Sequence, residues 1–205
     1  MSNSDLCFIQ AQEKVVFQEK TPEKWVAFVK ENGFLKADFL QRTSSLDLEI
    51  HLAEEKAKCE INCTYLLNNN NKININIKVI HESKNTLSRQ KIKGVATGQA
   101  QVNFNGLILI PKESQKCDGA QNHRGILLSD KAQITAIPQL EIWADDVQCA
   151  HGSAVGPLNE EEVFYLQSRG IPTHEAQQLL LKSFLEDGVP SVFVSTIQKW
   201  MEENV

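Results

Sequence analysis

The chain has 205 residues, 41% of them hydrophobic, which is enough for one domain with a sizeable core. Its 21 basic and 26 acidic side chains give a formal net charge of -5, a balance that argues against nucleic acid or an anionic membrane surface as a partner. The start, Met1 to Asp5, lacks the basic and apolar regions of a secretion signal, and the sequence contains no run of roughly 18 apolar residues for a membrane span. We therefore expect a cytoplasmic protein.

Five cysteines are an odd number, and their spacing is not that of a disulfide framework: Cys7, Cys59, Cys63, Cys117 and Cys149. In a reducing compartment such cysteines are expected to be free thiols. Cys59 and Cys63 lie four residues apart, but no Cys or His pair at a matching distance completes a zinc-type set. Core or surface thiols are the favoured interpretation of these two and of Cys117.

A short helix is predicted near the N-terminus. Thr21 and Pro22 have the pattern of a helix start, and Gly33 has the pattern of a helix end. The apolar residues that would share one face of this helix are Trp25, Phe28 and Val29. The sequence therefore predicts an N-terminal helical cap over residues 1–37.

From about Phe39 to Trp143 the apolar residues alternate with polar ones. This period of two predicts strands with one buried face, and we assign residues 38–157 to a β core. Two clear examples are Leu46, Leu48, Ile50 and Leu52, and then Ile73, Ile75, Ile77 and Val79. Composition alone allows a sandwich, a barrel or a solenoid. Short strands separated by single glycines favour a solenoid, in which each coil covers the next.

After Pro157 the period becomes helical, which predicts a C-terminal helical region over residues 158–205. Asn159 begins the first helix with a capping box and Gly170 ends it. A second helix is predicted from Thr173 to near Gly188, and a third over residues 190–203. Three short helices cannot bury their apolar faces against one another alone, so part of that surface must dock on the β core or on a partner.

Several segments carry a resemblance to a known family. His81, Thr86, Ser88 and Gln90 have the spacing His-x-x-x-x-Thr-x-Ser-x-Gln. The segments that follow it, in order, are Val102–Ile108, Asp118–Asn122, Leu127–Ala132 and Pro138–Gly170. Together they resemble the core of the SufB/SufD family, the β-helical scaffold proteins of iron–sulfur cluster assembly.

The resemblance is closer to SufD than to SufB. SufB-type members carry a cysteine in the coil before the Pro-strand and a Glu directly after the motif histidine. Here residues 131–138 contain no cysteine, and Gly152 follows His151. The run Ala144–Gly152, Ala-Asp-Asp-Val-x-Cys-x-His-Gly, is likewise SufD-like. Typical members have many more coils, so the resemblance implies a version shortened at the N-terminus.

The resemblance implies a right-handed parallel β-helix that serves as a non-catalytic scaffold subunit. Its implied partners are a SufB-like subunit and a SufC-like ATPase, whose nucleotide-driven dimerisation would strain the β-helix interface. A homodimer is an alternative pairing. The sequence contains no Gly-x-x-x-x-Gly-Lys-[Ser/Thr] loop, so any ATP hydrolysis must occur on another chain.

Cys149 and His151 are the candidate site for cluster assembly and metal binding. They lie two residues apart, so on an extended strand their side chains leave from the same face. Sulfur and nitrogen donors suit ferrous iron, but two ligands do not complete a site, and a partner would supply the others. We expect no stably bound cofactor and a transient iron or iron–sulfur cluster at the interface. The alternative is a buried cysteine and a hydrogen-bonded histidine.

The resemblance also implies an ATPase-docking surface on the C-terminal helices. Residues 164–171, Phe-Tyr-Leu-Gln-Ser-Arg-Gly-Ile, are similar to the end of a family helix. The residues that we predict to dock the ATPase are Phe164, Tyr165, Leu166, Arg169, Leu180 and Phe184. The alternative is that these side chains pack onto the β core.

A rival interpretation is a stand-alone β-solenoid enzyme or sugar-binding module. Such a protein needs a groove with converging carboxylates or aromatic rings. Only Trp143, Asp145 and Asp146 suggest one, and adjacent strand residues face opposite ways.

Overall fold

The computed structural model describes residues 4–10, 12–18 and 24–205. Within these residues the chain forms twelve strands followed by three helices. The first six strands are β1 (Ser4–Ile9), β2 (Gln12–Gln18), β3 (Lys24–Val29), β4 (Phe34–Gln41), β5 (Leu46–Leu52) and β6 (Lys58–Leu67). The next six are β7 (Lys72–His81), β8 (Leu87–Ala96), β9 (Gln101–Ile110), β10 (Cys117–Leu127), β11 (Gln133–Ile142) and β12 (Val147–Gly156).

The strands form a parallel β-solenoid, which confirms the predicted architecture. One six-stranded sheet has the order β1-β3-β5-β7-β9-β11, and the other has the order β12-β10-β8-β6-β4-β2. Successive strands alternate between the two sheets, so each odd–even pair makes one coil. Every pairing is parallel.

Inward-facing side chains fill the lumen between the sheets in stacked columns. Trp25 pairs in register with Leu48, and Leu48 pairs with Ile77; all three are buried. Each fully buried side chain of this size contributes roughly 1.5–3 kcal/mol. Cys59 and Cys63 belong to this core, and burial raises the pKa of each thiol to about 12. All five cysteines are free.

The corners between strands stack on one another as well. Asn32, Lys56, Asn85 and Lys116 all have positive φ, and the main-chain N–H of each donates to a carbonyl of the following coil. The opposite corner has Asn69 with φ 54° and Gly98 with φ 70°. The run of asparagines, residues 68–71, lies at this corner, and the main-chain carbonyls of Asn69 and Asn71 accept from Gln99 and Gln101 of the next coil.

The predicted N-terminal helix is wrong. Residues 24–29 form β3, in which Trp25, Ala27 and Val29 are buried and pair in register with β5. The solenoid therefore includes strands within residues 1–37, where the sequence predicted a helical cap. The helical interpretation rested on Pro and Gly punctuation, whereas the strand is stabilised by a neighbouring coil. Thr21 and Pro22, like the start Met1 to Asn3, lie outside the described residues.

The C-terminal region is helical, as predicted, with α1 (Glu160–Ser168), α2 (Thr173–Glu186) and α3 (Ser191–Asn204). Asn159 caps α1 by accepting from the Glu161 N–H at 2.9 Å. Gly170, with φ 86°, follows the end of α1. In the described part of the chain no helix combines the length and apolarity needed to cross a membrane.

Helices α2 and α3 pack against the outside of the β-helix, whereas α1 has no buried residue. The buried cluster that joins the helices to the strands comprises Leu40, Leu66, Val95, Leu181, Leu185, Phe193, Ile197, Trp200 and Met201. The Asn68 side chain also donates to Asn204 at 2.7 Å. The helices thus cover the side of the solenoid at the ends of β4, β6 and β8.

Candidate functional site

The last coil, made of β11 and β12, is open on one side. In the described chain β11 pairs only with β9, and β12 pairs only with β10. Each strand is ten residues long and presents a row of main-chain donors and acceptors that no described strand satisfies. Such edges are templates for pairing with another chain.

The lumen is also uncovered at this end. Ile142 and Val155 point inward by register with buried residues of β9 and β10, yet they are 37% and 40% exposed because no further coil covers them. Trp143, which follows Ile142 in the chain, is 68% exposed. Helices α2 and α3 bury their apolar residues elsewhere, against Leu40 and Leu66. The open end therefore combines free strand edges with exposed apolar side chains.

Cys149 and His151 lie on the lumen side of this open end. They pair in register with Gly119 and Gln121, whose positions face inward, so the two side chains share one face of β12. His151 is exposed, and Cys149 is half-buried. A Cβ added at Gly119 would lie 3.2 Å from the Cys149 Sγ, so the thiol rests directly on the coil beneath. Their metal-binding role remains a prediction.

The surroundings of Cys149 favour the neutral thiol. Burial raises its pKa most, and the nearby Cys117 and Asp118 raise it further; a hydrogen bond from the Gly119 main chain and the Arg89 charge act in the opposite direction. A metal or cluster would therefore have to displace the thiol proton. Among the described residues no three His, Cys, Asp or Glu side chains are placed to hold a metal ion. Cys149 and His151 therefore do not form a complete metal site with the other described residues.

A polar ladder that the sequence analysis did not identify lies beneath His151. The Gln121 Nε2 donates to the Gln90 Oε1 at 2.7 Å. His123, on the same strand, has its Nε2 3.1 Å from the Tyr65 hydroxyl and its Nδ1 3.2 Å from the Ser153 hydroxyl. Burial lowers the pKa of His123 to about 4. The sequence signal for this ladder is the pair of polar residues, Gln121 and His123, at alternate positions of β10 that face inward.

The His-x-x-x-x-Thr-x-Ser motif builds a buried corner. The His81 Nδ1 lies 2.8 Å from the Thr86 hydroxyl, and its Nε2 lies 2.9 Å from the Ser88 hydroxyl. Burial is the main cause that lowers the His81 pKa to about 4. The Cys117 Sγ lies 3.1 Å from the same Thr86 hydroxyl. These residues, including Cys117, have structural partners inside the fold.

The predicted docking residues on α1 are exposed. Phe164 and Tyr165 are 70% and 57% exposed, and Leu166 is half-buried. The Arg169 guanidinium lies 5.1 Å from the centroid of the Tyr165 ring and donates to its hydroxyl at 3.2 Å. Because α1 contributes nothing to the core, this aromatic surface is available to another molecule.

The predicted docking residues on α2 are engaged within the chain instead. Leu180 and Phe184 line a groove against sheet residues Lys93 and Arg124. The two cations lie 5.7 and 5.5 Å from the Phe184 ring centroid. The Lys93 Nζ also donates to the Phe184 carbonyl at 2.7 Å and to the Asp187 carbonyl at 2.5 Å. Phe184 therefore holds α2 on the β-helix, and the structure divides the predicted docking set into two surfaces.

The residues of the rival interpretation lie at the bend between β11 and β12. Asp145 and Asp146 are exposed. The main chain of Asp146 is fixed by Gln115 and Lys116, which gives this segment a role in the stacked corner.

Residues 33–184 match the family model described as SUF system FeS cluster assembly, SufBD core domain. The chain belongs to the SufBD core family. SufD of Escherichia coli is 41% identical over 97 residues, 47% of this chain and 23% of that protein. SufD of Bacillus subtilis is 34% identical over 134 residues, 62% of this chain and 31% of that protein.

A SufBD family protein of Pyrococcus horikoshii is 30% identical over 189 residues, 88% of this chain and 35% of that protein. This SufBD chain is SufD-like, as the motifs around His151 indicated. It spans about a quarter to a third of the length of these relatives.

Proposed function

We propose that this protein is a non-catalytic scaffold subunit of iron–sulfur cluster assembly that pairs through β11 and β12 with a SufB-like subunit. The observation that carries the proposal is the uncovered last coil, where two strand edges and the end of the lumen are exposed together. A second β-helix would pair its strands with both edges and cover the exposed apolar side chains of Ile142, Trp143 and Val155. Membership of the SufBD core family supports the same role.

Strand pairing and apolar burial both contribute to such an interface. Each main-chain hydrogen bond that forms along an edge adds about 0.5–1.5 kcal/mol net. Covering Ile142, Trp143 and Val155 adds apolar burial at about 25 cal/mol per Å². A second copy of this chain presents the same edges, so a homodimer is the alternative pairing.

At this interface Cys149 and His151 would contribute one sulfur and one nitrogen donor toward the iron or cluster that is being assembled. The cluster is cargo in this proposal, and the remaining donors come from the SufB-like subunit. The half-buried thiol must lose its proton on binding, whereas the exposed imidazole reaches the interface directly.

We place the ATPase-docking surface on α1, with Phe164 and Tyr165 as its centre. Exposed aromatic side chains on a helix that the fold does not need are typical of interaction surfaces. The clamp formed by Phe184, Lys93 and Arg124 would then connect the docked ATPase to β8 and β10, the two strands next to the site.

Co-purification of the full chain with the SufB-like and SufC-like proteins of its own cell tests the two surfaces. A V155E variant should lose the SufB-like subunit and keep the ATPase. A double variant, F164A with Y165A, should lose the ATPase and keep the SufB-like subunit, so each variant is the control for the other. Retention of both partners by both variants contradicts the proposed surfaces. Self-association of the purified chain, abolished by V155E, would indicate the homodimer.

Cluster assembly in the reconstituted complex tests the role of the site. An H151A variant should lower the rate of cluster formation, whereas H174A, which changes an exposed histidine on α2, should not. An unchanged rate in H151A removes the imidazole from the proposal.

A further inference from the structure

Gln121 has a buried acceptor with no partner. The side chain is 2% exposed, and its Nε2 donates to Gln90 on the coil beneath. Its Oε1 is buried and accepts no hydrogen bond from the described residues. A buried carbonyl oxygen without a donor is costly, and most buried polar atoms in native proteins have a partner.

The Gln121 amide is held in place by its neighbours. A Cβ added at Gly106 would lie 2.2 Å from the Oε1 and 2.4 Å from the Nε2, so the amide crosses the lumen and occupies the space that this glycine leaves. On the coil above, Pro138 is in register with Gly106 and has no N–H to donate. That position of β11 therefore offers no main-chain donor to the amide.

His151, on β12 of the same coil, is the candidate donor. It pairs in register with Gln121, and neighbouring strands are about 4.8 Å apart. Both side chains face the lumen by this register. The ring is exposed, and exposed side chains change rotamer within nanoseconds, so the imidazole can turn toward the coil beneath it.

We propose that Gln121 is a positioning residue for His151: its Oε1 accepts the imidazole N–H and leaves the other ring nitrogen unprotonated toward the open end. The inference rests on the proposed function of His151. Metal-ligating histidines commonly donate their second nitrogen to a carbonyl or carboxylate, which fixes the tautomer and the ring orientation. The Gln90 Oε1 accepts from the Gln121 Nε2, and the Gln90 Nε2 at the other end of the ladder is likewise buried without a partner among the described residues.

The tautomer of His151 in the full chain tests this inference without a cluster. The ¹⁵N signals of His151, identified by their loss in H151A, report at pH 8 which ring nitrogen carries the proton. One tautomer should predominate in the wild type. Q121M keeps the shape of the side chain but removes the acceptor, and it should change the tautomer ratio by about fivefold. Q121E keeps an acceptor and should retain the wild-type ratio.

The matched control is N122A, which changes an exposed residue on the outer face of the same strand and should leave the ratio unchanged. Equal ratios in Q121M and wild type overturn the inference. If Q121M fails to fold, an even mixture of tautomers in the wild type, or loss of the predominant tautomer in a folded Q121E, overturns it as well.

Assembly assays separate this inference from the proposed function. In the reconstituted complex Q121M should slow cluster formation by about tenfold or more, the usual effect of losing such a partner, and Q121E should restore most of the rate. Full activity of H151A would contradict the proposed function and leave the tautomer result standing. Reduced activity of H151A with unchanged tautomers in Q121M would contradict the role of Gln121 alone.

Discussion

Acid should destabilise this protein through two buried histidines. His81 and His123 are fully buried, and burial lowers the pKa of each from 6.5 to about 4. Between these values the unfolded chain binds protons that the folded chain does not, so folding stability falls as the pH drops from 6.5 toward 4. Well above pH 6.5 both histidines are neutral in the folded and in the unfolded chain, so this loss of stability is absent.

The magnitude follows from the same pKa values. At pH 5 each histidine lowers the free energy of unfolding by about 2 kcal/mol relative to pH 8, so the pair accounts for about 4 kcal/mol. Carboxylates also titrate in this range, and their effect is shared by all variants. The informative quantity is therefore the difference between variants in the loss from pH 8 to pH 5.

Urea unfolding of wild type, H123F and H174Q at both pH values measures that loss. Phenylalanine can stack on Phe104, whose ring lies 5.0 Å from that of His123, but it removes the partner of the buried Tyr65 hydroxyl. H123F should therefore lose about 1–3 kcal/mol at pH 8 and lose about 2 kcal/mol less than wild type between pH 8 and pH 5. H174Q, at an exposed position, should follow the wild type. An acid loss in H123F equal to that of wild type would refute the reasoning.

Two further predictions concern packing. A Cβ at Gly94 would lie 2.2 Å from the Tyr65 main-chain oxygen, so G94A should destabilise the fold by about 3 kcal/mol or more. The control G152A, whose added Cβ has its nearest contact at 3.5 Å, should be nearly neutral. Equal urea midpoints for the two variants would contradict this prediction. F193A should lower the free energy of unfolding by about 3–5 kcal/mol, because Phe193 is buried between the helices and the strands. V192A, at an exposed site, should change thermal stability little. A small effect of F193A would show that the helices do not depend on this cluster.

The sequence predicted the parts of the fold that depend on local patterns. Alternation over Ile73 to Val79 marked a strand, and the Asn159 cap and Gly170 marked the limits of α1. The segment at Trp25 was misassigned because its strand depends on pairing with β5. The flanking Pro22 and Gly33 carry no information about that contact. The solenoid itself was favoured by the family resemblance more than by periodicity, since its coils carry no exact repeat.

The candidate site was predictable only where it depends on local sequence. Cys149 and His151 were identified from a short motif, and their common face followed from strand geometry. The ladder of Gln90 and Gln121 was missed because it depends on the register between coils. Likewise, the sequence placed Phe164 and Phe184 in one docking set, whereas only packing shows that Phe184 is held by Lys93 and Arg124.

Hydrogen exchange in the full chain, alone and in complex with the SufB-like subunit, tests the central claim most directly. The account predicts that amides of β11 (Gln133–Ile142) and β12 (Val147–Gly156) exchange more slowly in the complex, because the open edges gain strand partners. Formation of the complex with unchanged exchange in both strands, and protection elsewhere, would contradict it.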